Sequence, residues 1–561
     1  MAPRDTDKPV IVQSDRTILL EADSPVYEDA RDCLSRFAEL VKSPEYIHTY
    51  RITPLSLWNA AAAGMTTSEI LEGLERFSRY EIPQNLYVDI RDILSRWGRI
   101  RLRRDDDPSR LVLECDDPLL VAELLRHRML TPYLVGHENR RRLFIRPEDR
   151  GNVKSALIRI GFPVEDLAGY APGAPLDIEL RAVTRAGKPF RLRAYQQAAA
   201  DTFHAGGSEW GGSGVIVLPC GAGKTIVALA AMARTRVKTL VLTTNTVALR
   251  QWREELLDKT TLQPEDIGEY SGEEKTVRPV TIASYEILVY RKAKKGPFIH
   301  FDIFDREDWG LIIYDEVHLL PAPVFRATAS LQARRRLGLT ATLVREDGLE
   351  EEVFSLIGPK KYDVPWKLLE KQGWIATAAC VEVRVSMPSD ERYRYAVAAP
   401  RDKYAIAAMN PAKYTVCREL VERHRQDNVL IIGQYLEQLD VLAGMFNAPL
   451  ITGKTPVSER ERLYRAFREG AVKLLVVSKV ANFAIDLPDA NVAIQVSGTF
   501  GSRQEEAQRL GRILRPKADG SLARFYSLVT RDTCDQDFSV KRQLFLVEQG
   551  YRYEIIDDEH L

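Results

Sequence analysis

Two short motifs in the middle of the chain carry residue types that could bind a polyphosphate and cleave its phosphoanhydride bond. The first covers residues 218–225 (LPCGAGKT) and lies between an apolar run and a helix-like run. Gly221 and Gly223 let backbone N–H groups turn inward around phosphate oxygens, and the amino end of the following helix favours an anion. Lys224 would contact the terminal phosphates, and the Thr225 hydroxyl would ligate Mg²⁺. The motif therefore predicts a site for ATP with Mg²⁺.

The match to the strict phosphate-loop pattern is incomplete, because Leu218 stands where that pattern has its first glycine. The strand-like and helix-like runs on either side restore the context that the loop requires. Pro219, Cys220 and Ala222 complete the set of loop residues that we expect to contact the nucleotide. Upstream, Gln196 lies near the start of a helical stretch and could hydrogen-bond an adenine edge.

The second motif follows an apolar run at residues 311–314 and places Asp315 and Glu316 side by side. Two carboxylates at the end of a buried strand, on the order of 90 residues after a phosphate-loop lysine, are typical of a Walker B motif. Asp315 would hold Mg²⁺ through its water shell, and Glu316 would orient and deprotonate the attacking water. The alternative is that both carboxylates merely cap a helix.

A third motif, late in the chain, carries cations. Gln508, Arg512 and Arg515 are spaced so that all three share one face of a helix. Two guanidiniums on one face could act as arginine fingers, which stabilise charge that develops on a transferred phosphoryl group. The alternative is a salt-bridged amphipathic helix.

The elements needed to position these motifs are short apolar strands alternating with helices. Continuous apolar runs of this kind suit parallel strands that are covered on both faces. They occur at residues 215–218, 239–242, 280–282 and 311–314, and again at 429–432, 474–477 and 492–494. Ser458 and Glu461 form a capping-box pattern that predicts a helix start. We therefore expect an α/β protein with two successive parallel-sheet domains, at residues 181–375 and 376–561.

The N-terminal third is less regular, and we expect smaller α+β domains at residues 1–115 and 116–180. Residues 25–42 are expected to be helical. Helices followed by short strands up to residue 104 fit a winged-helix module, and a generic helix-plus-hairpin domain fits equally well. Three consecutive arginines at residues 140–142 form either a solvated loop or a patch that contacts phosphates.

Composition limits the possible partners. Lys plus Arg is 79 and Asp plus Glu is 79, so the formal net charge is zero and any binding to nucleic acid must depend on local basic patches. The six cysteines contain no C-x-x-C pair, which disfavours zinc ribbons and disulfide frameworks. No secretory signal or membrane span is evident. We expect a cytoplasmic protein, associated with the nucleoid if its source is prokaryotic.

Taken together, the motifs resemble those of superfamily-two helicases, and more specifically those of the XPB family. Residues 221–225, 315–318, 340–342 and 508–512 are similar to motifs I, II, III and VI of that superfamily. Arg345, Glu346 and Asp347 look like the RED motif of the XPB family. Residues 482–488 look like motif V, and residues 386–413 lie where the family carries a thumb-like insertion. Residues 116–180 resemble its damage-recognition element less sharply.

The resemblance implies two tandem RecA-like motor domains and an ATP-dependent DNA helicase that translocates 3′ to 5′, acting in nucleotide excision repair. Its partners would be DNA, as a forked or damaged duplex or a single strand, and a nuclease or repair complex. Thr340 and Thr342 would couple the nucleotide state to cleft closure, and Arg345, Glu346 and Asp347 would lie near the duplex junction. Two alternatives remain open: a translocase that moves along duplex DNA without separating it, and a DNA-bound scaffold that ATP merely locks.

Overall fold

The computed structural model describes most of the chain in fourteen segments. These are residues 8–42, 46–208, 210–219, 221–293, 298–321, 323–324, 328, 334–341, 350–364, 366–478, 490–499, 506, 509–510 and 522–561. The molecule divides into two compact units, one formed by most of the chain up to Val364 and the other by most of the chain after it.

The chain begins with a four-stranded sheet and four helices. Their bounds are β1 Val10–Val12, β2 Thr17–Glu21, α1 Tyr27–Leu34, β3 Glu39–Lys42, β4 Ile47–Arg51, α2 Pro54–Ala62, α3 Thr67–Phe77 and α4 Gln84–Arg96. The sheet order is β1-β2-β4-β3. Thr53 and Thr66 each accept a backbone N–H at the start of α2 and α3, as capping boxes do. The expectation of one helix over residues 25–42 is wrong beyond Leu34, because the chain turns there and continues as β3.

A five-stranded sheet follows, with the order β7-β8-β6-β5-β9. Its elements are β5 Ile100–Arg104, β6 Leu111–Cys115, α5 Pro118–Leu124, β7 Leu134–Glu138, β8 Arg142–Ile145, α6 Arg150–Ile160 and β9 Val164–Asp166. The hairpin that a winged-helix module would use as its wing is β5 with β6, and both strands lie inside this sheet. The expected domain boundary between residues 115 and 116 falls directly after β6.

The first motor sheet has seven parallel strands in the order β12-β13-β11-β14-β15-β10-β16. Its elements are α7 Ala194–His204, β10 Ser213–Val217, α8 Lys224–Thr235, β11 Thr239–Thr243, α9 Thr246–Lys259, β12 Ile267–Tyr270, β13 Val280–Ser284, α10 Tyr285–Leu288, α11 Ile303–Arg306, β14 Leu311–Asp315, β15 Arg335–Thr340, α12 Glu350–Leu356 and β16 Lys360–Asp363. Its central strands are buried along nearly their whole length, as strands covered on both faces must be.

Helix α6 of the five-stranded domain packs against α12 of this motor domain. The hydroxyls of Ser155 and Ser355 lie 3.3 Å apart, and Arg159 pairs with Glu352 at 2.8 Å. The ring of Trp97 meets that of Phe354 edge-on, with centroids 5.7 Å apart. The five-stranded domain is therefore joined to the first motor sheet by packed side chains as well as by the polypeptide.

The second unit contains a second sheet of seven parallel strands, in the order β19-β20-β18-β21-β22-β17-β23. Its elements are α13 Trp366–Lys371, β17 Ala378–Val385, α14 Ser389–Val397, α15 Pro400–Ala408, α16 Ala412–Arg423, β18 Val429–Gly433, α17 Leu436–Phe446, β19 Leu450–Ile451, α18 Val457–Arg468, β20 Leu474–Ser478, β21 Val492–Gln495, β22 Ala523–Thr530, α19 Cys534–Glu548 and β23 Tyr553–Asp557. Two RecA-like parallel-sheet domains follow smaller N-terminal domains along the chain, which confirms the expected fold class.

Two expectations for the second unit have different outcomes. The helix predicted near Ser458 is present as α18, but the predicted capping box is wrong, because Pro456 is the N-cap residue and no side chain caps the helix. Residues 386–413 contain α14 and α15, and the described side chains of α14 include none that is buried. None of the described helices is both long enough and apolar enough to cross a bilayer.

Candidate nucleotide site

The phosphate loop connects the end of β10 to the start of α8 at Lys224. Gly221 and Gly223 both have positive φ, of 80° and 82°, which side chains other than glycine rarely adopt. A Cβ atom on Gly223 would lie 2.6 Å from Nε2 of Gln196, so a larger residue here would both displace that side chain and strain the backbone. The loop thus has the backbone conformation that a turn around phosphate oxygens requires.

Gln196 lies in the first turn of α7 and is buried beside this loop. Its Oε1 accepts the backbone N–H of Arg193 at 3.0 Å, and its Nε2 faces Gly223. The side chain is therefore held at the edge of the nucleotide loop. Its expected contact with adenine stays a prediction.

Lys224 and Glu316 face each other across this site. Nζ of Lys224 lies 3.5 Å from Oε1 of Glu316, and the two side chains are only 11% and 20% exposed. Glu316 has φ 49°, a left-handed conformation that turns the chain sharply where β14 ends. The two motifs that the sequence places far apart are thus brought together at the carboxyl end of the first motor sheet, where open parallel sheets bind their ligands.

Asp315 is held from three sides. Its Oδ2 accepts the indole N–H of Trp252 at 2.8 Å, and its Oδ1 accepts the backbone N–H of Glu316 at 3.1 Å. Its carbonyl oxygen accepts the hydroxyl of Tyr285 at 2.9 Å. Burial, together with the neighbouring Glu316 carboxylate, raises the pKa of Asp315 to about 6. A cation at this position would stabilise the ionised carboxylate.

His318 links the carboxylate motif to β15. Its Nδ1 lies 2.7 Å from the hydroxyl oxygen of Thr340 and 3.5 Å from Oε2 of Glu316. Thr340 is fully buried, and its carbonyl oxygen accepts the backbone N–H of Leu218 at 3.0 Å. One threonine therefore contacts both the residue that precedes the phosphate loop and the segment that follows Glu316.

The oxygen donors present fit a Mg²⁺ ion that is bound together with a nucleotide. Thr225 follows Lys224 in the first turn of α8, and Asp315 ends β14. Hydroxyl and carboxylate oxygens are the ligands that Mg²⁺ prefers. Within the described part of the chain there is no group of three His, Cys, Asp or Glu side chains that could hold a metal ion. An ion here would thus take its remaining ligands from phosphate oxygens and water.

Several expected site residues lie outside the described residues. They are Cys220 in the phosphate loop, Thr342, Arg345, Glu346 and Asp347 after β15, and Gln508, Arg512 and Arg515 in the late motif. Their expected contacts with nucleotide or DNA remain predictions.

Two neighbours of the late motif are described, and both are buried in the second unit. Glu506 is fully buried, and one of its carboxylate oxygens accepts Nε2 of Gln495 at 2.9 Å. Arg509 donates to the side-chain oxygen of the same Gln495. Glu506 and Arg509, two residues before and one residue after Gln508, therefore both contact the end of β21.

The arginines at residues 140–142 form part of the tight turn between β7 and β8, where Arg140 has φ 51°. Arg142 is engaged with carboxylates, since it pairs with Asp105 at 3.0 Å and with Glu138 at 2.9 Å. Arg140 and Arg141 are exposed. Whether this turn contacts phosphates stays a prediction.

The sequence patterns did not reveal two supports of the site, Trp252 and Tyr285. Trp252 lies 63 residues before Asp315, and Tyr285 lies 30 residues before it. A buried indole must find an acceptor for its N–H, which is the one signal that the sequence offered. It does not say which acceptor.

Comparison with known proteins agrees with this geometry. A sequence model of the family described as "ERCC3/RAD25/XPB C-terminal helicase" matches residues 369–560. The models described as "Helicase conserved C-terminal domain" and "Type III restriction enzyme, res subunit" match residues 10–139 and 189–345.

Three relatives cover essentially the whole chain. A protein of Kineococcus radiotolerans named "DNA 3'-5' helicase XPB" is 54% identical over 99% of this chain and 98% of its own length. A protein of Mycobacterium tuberculosis with the same name is 54% identical over 99% of both chains. The yeast protein of Saccharomyces cerevisiae named "General transcription and DNA repair factor IIH helicase/translocase subunit XPB/SSL2" is 31% identical over 100% of this chain and 73% of its own length. With such similarity along its whole length, and with the two motor sheets and the phosphate loop described above, the chain belongs to the XPB family of helicases.

Proposed function

We propose that this protein is an ATP-dependent DNA helicase and translocase that moves 3′ to 5′ along one strand and acts in DNA repair. The observation that carries the proposal is the approach of Lys224 to Glu316 in a chain that is 54% identical over 99% of its length to a protein named DNA 3'-5' helicase XPB. Repair is favoured by the yeast relative, whose name includes a general transcription and DNA repair factor.

The chain's own residues divide the work of ATP hydrolysis. The N–H groups of residues 221–225 and the Lys224 ammonium would hold the phosphates, and Thr225 with Asp315 would hold Mg²⁺. Glu316, turned toward the site by its left-handed backbone, would orient the attacking water and accept its proton. When bound, ATP with Mg²⁺ supplies the phosphoanhydride bond whose hydrolysis drives movement. Arg512 and Arg515 would act as arginine fingers that stabilise charge on the γ-phosphoryl group.

Coupling to DNA would follow from the contacts of Thr340. Its hydroxyl contacts His318 and its carbonyl oxygen accepts the N–H of Leu218. A movement of the phosphate loop would therefore also move the end of β15. The RED-like residues Arg345, Glu346 and Asp347 follow directly in the sequence. Contacts to the DNA backbone would make the movement independent of base sequence.

The experiment is a strand-separation assay with ATP and Mg²⁺ on forked duplexes that carry either a 3′ or a 5′ single-stranded tail. We expect ATP-dependent separation of the 3′-tailed fork, and no separation by the Lys224→Ala variant. ATP hydrolysis that DNA does not stimulate, with no separation of either fork, would overturn the proposal.

A second candidate is a translocase that moves along duplex DNA without separating it. Two findings favour it: the match of residues 189–345 to the restriction-enzyme subunit, and the word "translocase" in the name of the yeast relative. Displacement of a third strand from a triplex, without separation of the forked duplex, would select this candidate. If the Glu316→Gln variant, unable to hydrolyse ATP, retained full activity in repair, the protein would instead be a scaffold that ATP locks.

A further inference from the structure

A cavity of about 200 Å³ lies in the first unit, at the amino-terminal ends of the motor strands β10 and β15. Arg335 is the first residue of β15 and Arg104 is the last residue of β5, so guanidiniums from two different sheets line it. The other polar lining side chains are those of His204, Ser208, Thr235 and Tyr170. The described lining residues of this "Arg104–Arg335 cavity" include two guanidiniums and no carboxylate, so that part of its lining is cationic.

The two guanidiniums have hydrogen-bond donors to spare. Arg104 donates to the carbonyl oxygens of Ala168 and Tyr170, at 2.8 and 3.0 Å. Arg335 donates to the carbonyl oxygen of Ala171 at 3.5 Å. In the part of the chain that the structure describes, neither arginine forms an ion pair. Because each guanidinium has five N–H donors, most of them remain available to a ligand.

The surroundings of the cavity add further positive charge. Arg335, Arg150 and Arg336 all lie within 5.6 to 5.8 Å of the centre of the Tyr170 ring. Asp166 offsets part of this charge, but it is already paired with Arg150 and with Lys154. The carboxyl ends of α7 and α8 also reach the cavity, each contributing about half a negative charge. Two full charges on Arg104 and Arg335 exceed these partial ones.

Burial is the main influence on the pKa values of two lining groups. Burial lowers the pKa of Arg335, and Tyr170 compensates only in part. Burial, followed by repulsion from Arg234 and Arg335, lowers the pKa of His204. Arg335 is partly buried whereas Arg104 is exposed. A partly buried cation without a carboxylate is unfavourable in a folded protein, and an anion bound beside Arg335 would relieve that cost.

The backbone at the cavity packs closely against two of the lining side chains. Gly212 has φ 81°, and a Cβ atom there would lie 2.8 Å from Cε2 of Tyr170 and 3.1 Å from Cγ of Arg335. Glycine at this position therefore lets the main chain press against Tyr170 and the stem of Arg335 while their polar groups line the opening.

We propose that the Arg104–Arg335 cavity binds a phosphate group, supplied either by the backbone of DNA or by a free phosphate ion. The forked, planar guanidinium matches the oxygens of a phosphate, and two of them line this cavity. The site is separate from the nucleotide loop, because β10 and β15 begin at the cavity and end at that loop. At about 3.3 Å per residue, these strands hold the two sites roughly 13 to 17 Å apart. The proposal goes beyond the helicase function and does not depend on it.

The first test measures binding of orthophosphate to the full chain by calorimetry, at constant ionic strength. The chain carries Lys224→Ala, because this substitution weakens phosphate binding at the nucleotide loop. We expect saturable binding that is about tenfold weaker or more in the Arg104→Gln/Arg335→Gln double variant, as loss of charge-assisted hydrogen bonds implies. The control is Arg236→Gln, which removes an arginine that pairs with Glu179 elsewhere in the same unit. Arg335→Lys keeps the charge and the stem, and melting without phosphate shows whether each variant is folded.

The second test measures DNA affinity against salt concentration. If the DNA backbone occupies the cavity, the double variant lowers the slope of log affinity on log salt by about one to two, and Arg236→Gln leaves it unchanged. Loss of orthophosphate binding with an unchanged slope would identify a free phosphate as the occupant. A changed slope without detectable orthophosphate binding would identify DNA. If the folded double variant changed neither measurement, the proposal would be overturned.

Discussion

The indole N–H of Trp252 donates to Oδ2 of Asp315 across 2.8 Å, and this contact joins α9 to the end of β14. The donor stabilises the charged form of a carboxylate that burial otherwise pushes toward neutrality. Asp315 is the residue expected to hold Mg²⁺. A side chain of α9 therefore helps to keep the expected metal ligand of β14 in its ionised form. The contact also fixes the direction in which the carboxylate points.

Trp252→Phe should therefore slow ATP hydrolysis while the protein stays folded. The substitution removes the N–H but keeps most of the ring volume, and a hydrogen bond to a charged group contributes about 1.5 to 3 kcal/mol. We expect turnover to fall about 10- to 100-fold, with more Mg²⁺ needed for half-maximal rate. Steady-state hydrolysis measured over a Mg²⁺ series checks this.

Trp309→Phe is the matched control. Trp309 is also fully buried in the first unit, but its indole N–H donates to the carbonyl oxygen of Ile303 at 2.8 Å, away from the site. We expect both variants to lose similar thermal stability and only Trp252→Phe to lose turnover. Equal turnover in the two variants would show that the contact with Asp315 does not prepare the metal site.

Thr340→Val should uncouple hydrolysis from strand separation. Valine keeps the size of threonine and the backbone hydrogen bond with Leu218, but its side chain cannot form a hydrogen bond with Nδ1 of His318. Since one neutral hydrogen bond contributes only about 1 kcal/mol, hydrolysis should persist while fewer base pairs are separated per ATP. Parallel measurement of phosphate release and strand separation on one forked substrate gives this ratio.

The control for this prediction is Thr243→Val at the end of β11. Thr243 is as buried as Thr340, and its hydroxyl lies 3.5 Å from the carbonyl oxygen of Ala283, within the sheet core. We expect an unchanged ratio for this variant. A ratio that falls equally in both variants would assign the effect to general loosening of the sheet.

The sequence predicted those motor strands that are continuous apolar runs, such as β11 and β14, but not strands that carry charged residues, such as β12 and β16. Strands buried on both faces are continuous apolar runs, and their ends are marked by glycine or by paired carboxylates, as at Gly221 and Asp315. The cap near Ser458 was wrong, because Pro456 supplies an extended residue and the helix begins directly after it. Ser458 is then the second helical residue and is too far along the helix to cap it. The contact between Trp252 and Asp315 depends on tertiary packing, which no local pattern encodes.

Glu506→Gln should lower ATP turnover without weakening nucleotide binding. The buried Glu506 carboxylate accepts hydrogen bonds from the side chain of Gln495 at 2.9 Å and from the hydroxyl of Tyr553 at 3.2 Å. It also lies 3.8 Å from Nε of Arg542. Glu506 lies two residues before Gln508 and six before Arg512, one of the expected arginine fingers. Neutralising it should shift that motif and reduce turnover about tenfold or more, as loss of part of the transition-state stabilisation would. Fluorescent nucleotide binding and DNA-stimulated turnover, measured together, test this.

Glu382→Gln provides the comparison. Glu382 is nearly as buried in the same unit and accepts hydrogen bonds from Ser539 at 2.8 Å and Gln543 at 2.6 Å. Both variants remove one buried charge, so both should lower the melting temperature. Selective loss of turnover only in Glu506→Gln is the expected result, and equal turnover in the two variants would reduce Glu506 to a purely structural residue.

The buried cluster of Arg150, Lys154 and Asp166 predicts two opposite effects on stability. The Asp166 carboxylate forms ion pairs with Arg150 and Lys154, with N···O distances of 2.7 and 2.9 Å. All three side chains are less than a tenth exposed. Asp166→Asn leaves two buried cations without their counter-charge and should destabilise the five-stranded domain by about 3 to 5 kcal/mol. Lys154→Met leaves Asp166 paired with Arg150 and removes a cation that burial disfavours, so it should slightly stabilise the domain at neutral pH. Thermal melting of the full chain compares the two.

The pH dependence gives Lys154 a distinct signature. Burial lowers the pKa of Lys154 from 10.5 to about 8, although Asp166 opposes this shift. Between those values the unfolded chain binds more protons than the folded chain, so this residue makes stability rise with pH across that interval. Lys154→Met should remove this contribution, so that the difference in melting temperature between parent and variant changes from pH 8 to pH 10. A difference that stays constant over the interval would show that Lys154 keeps an ordinary pKa in the folded protein.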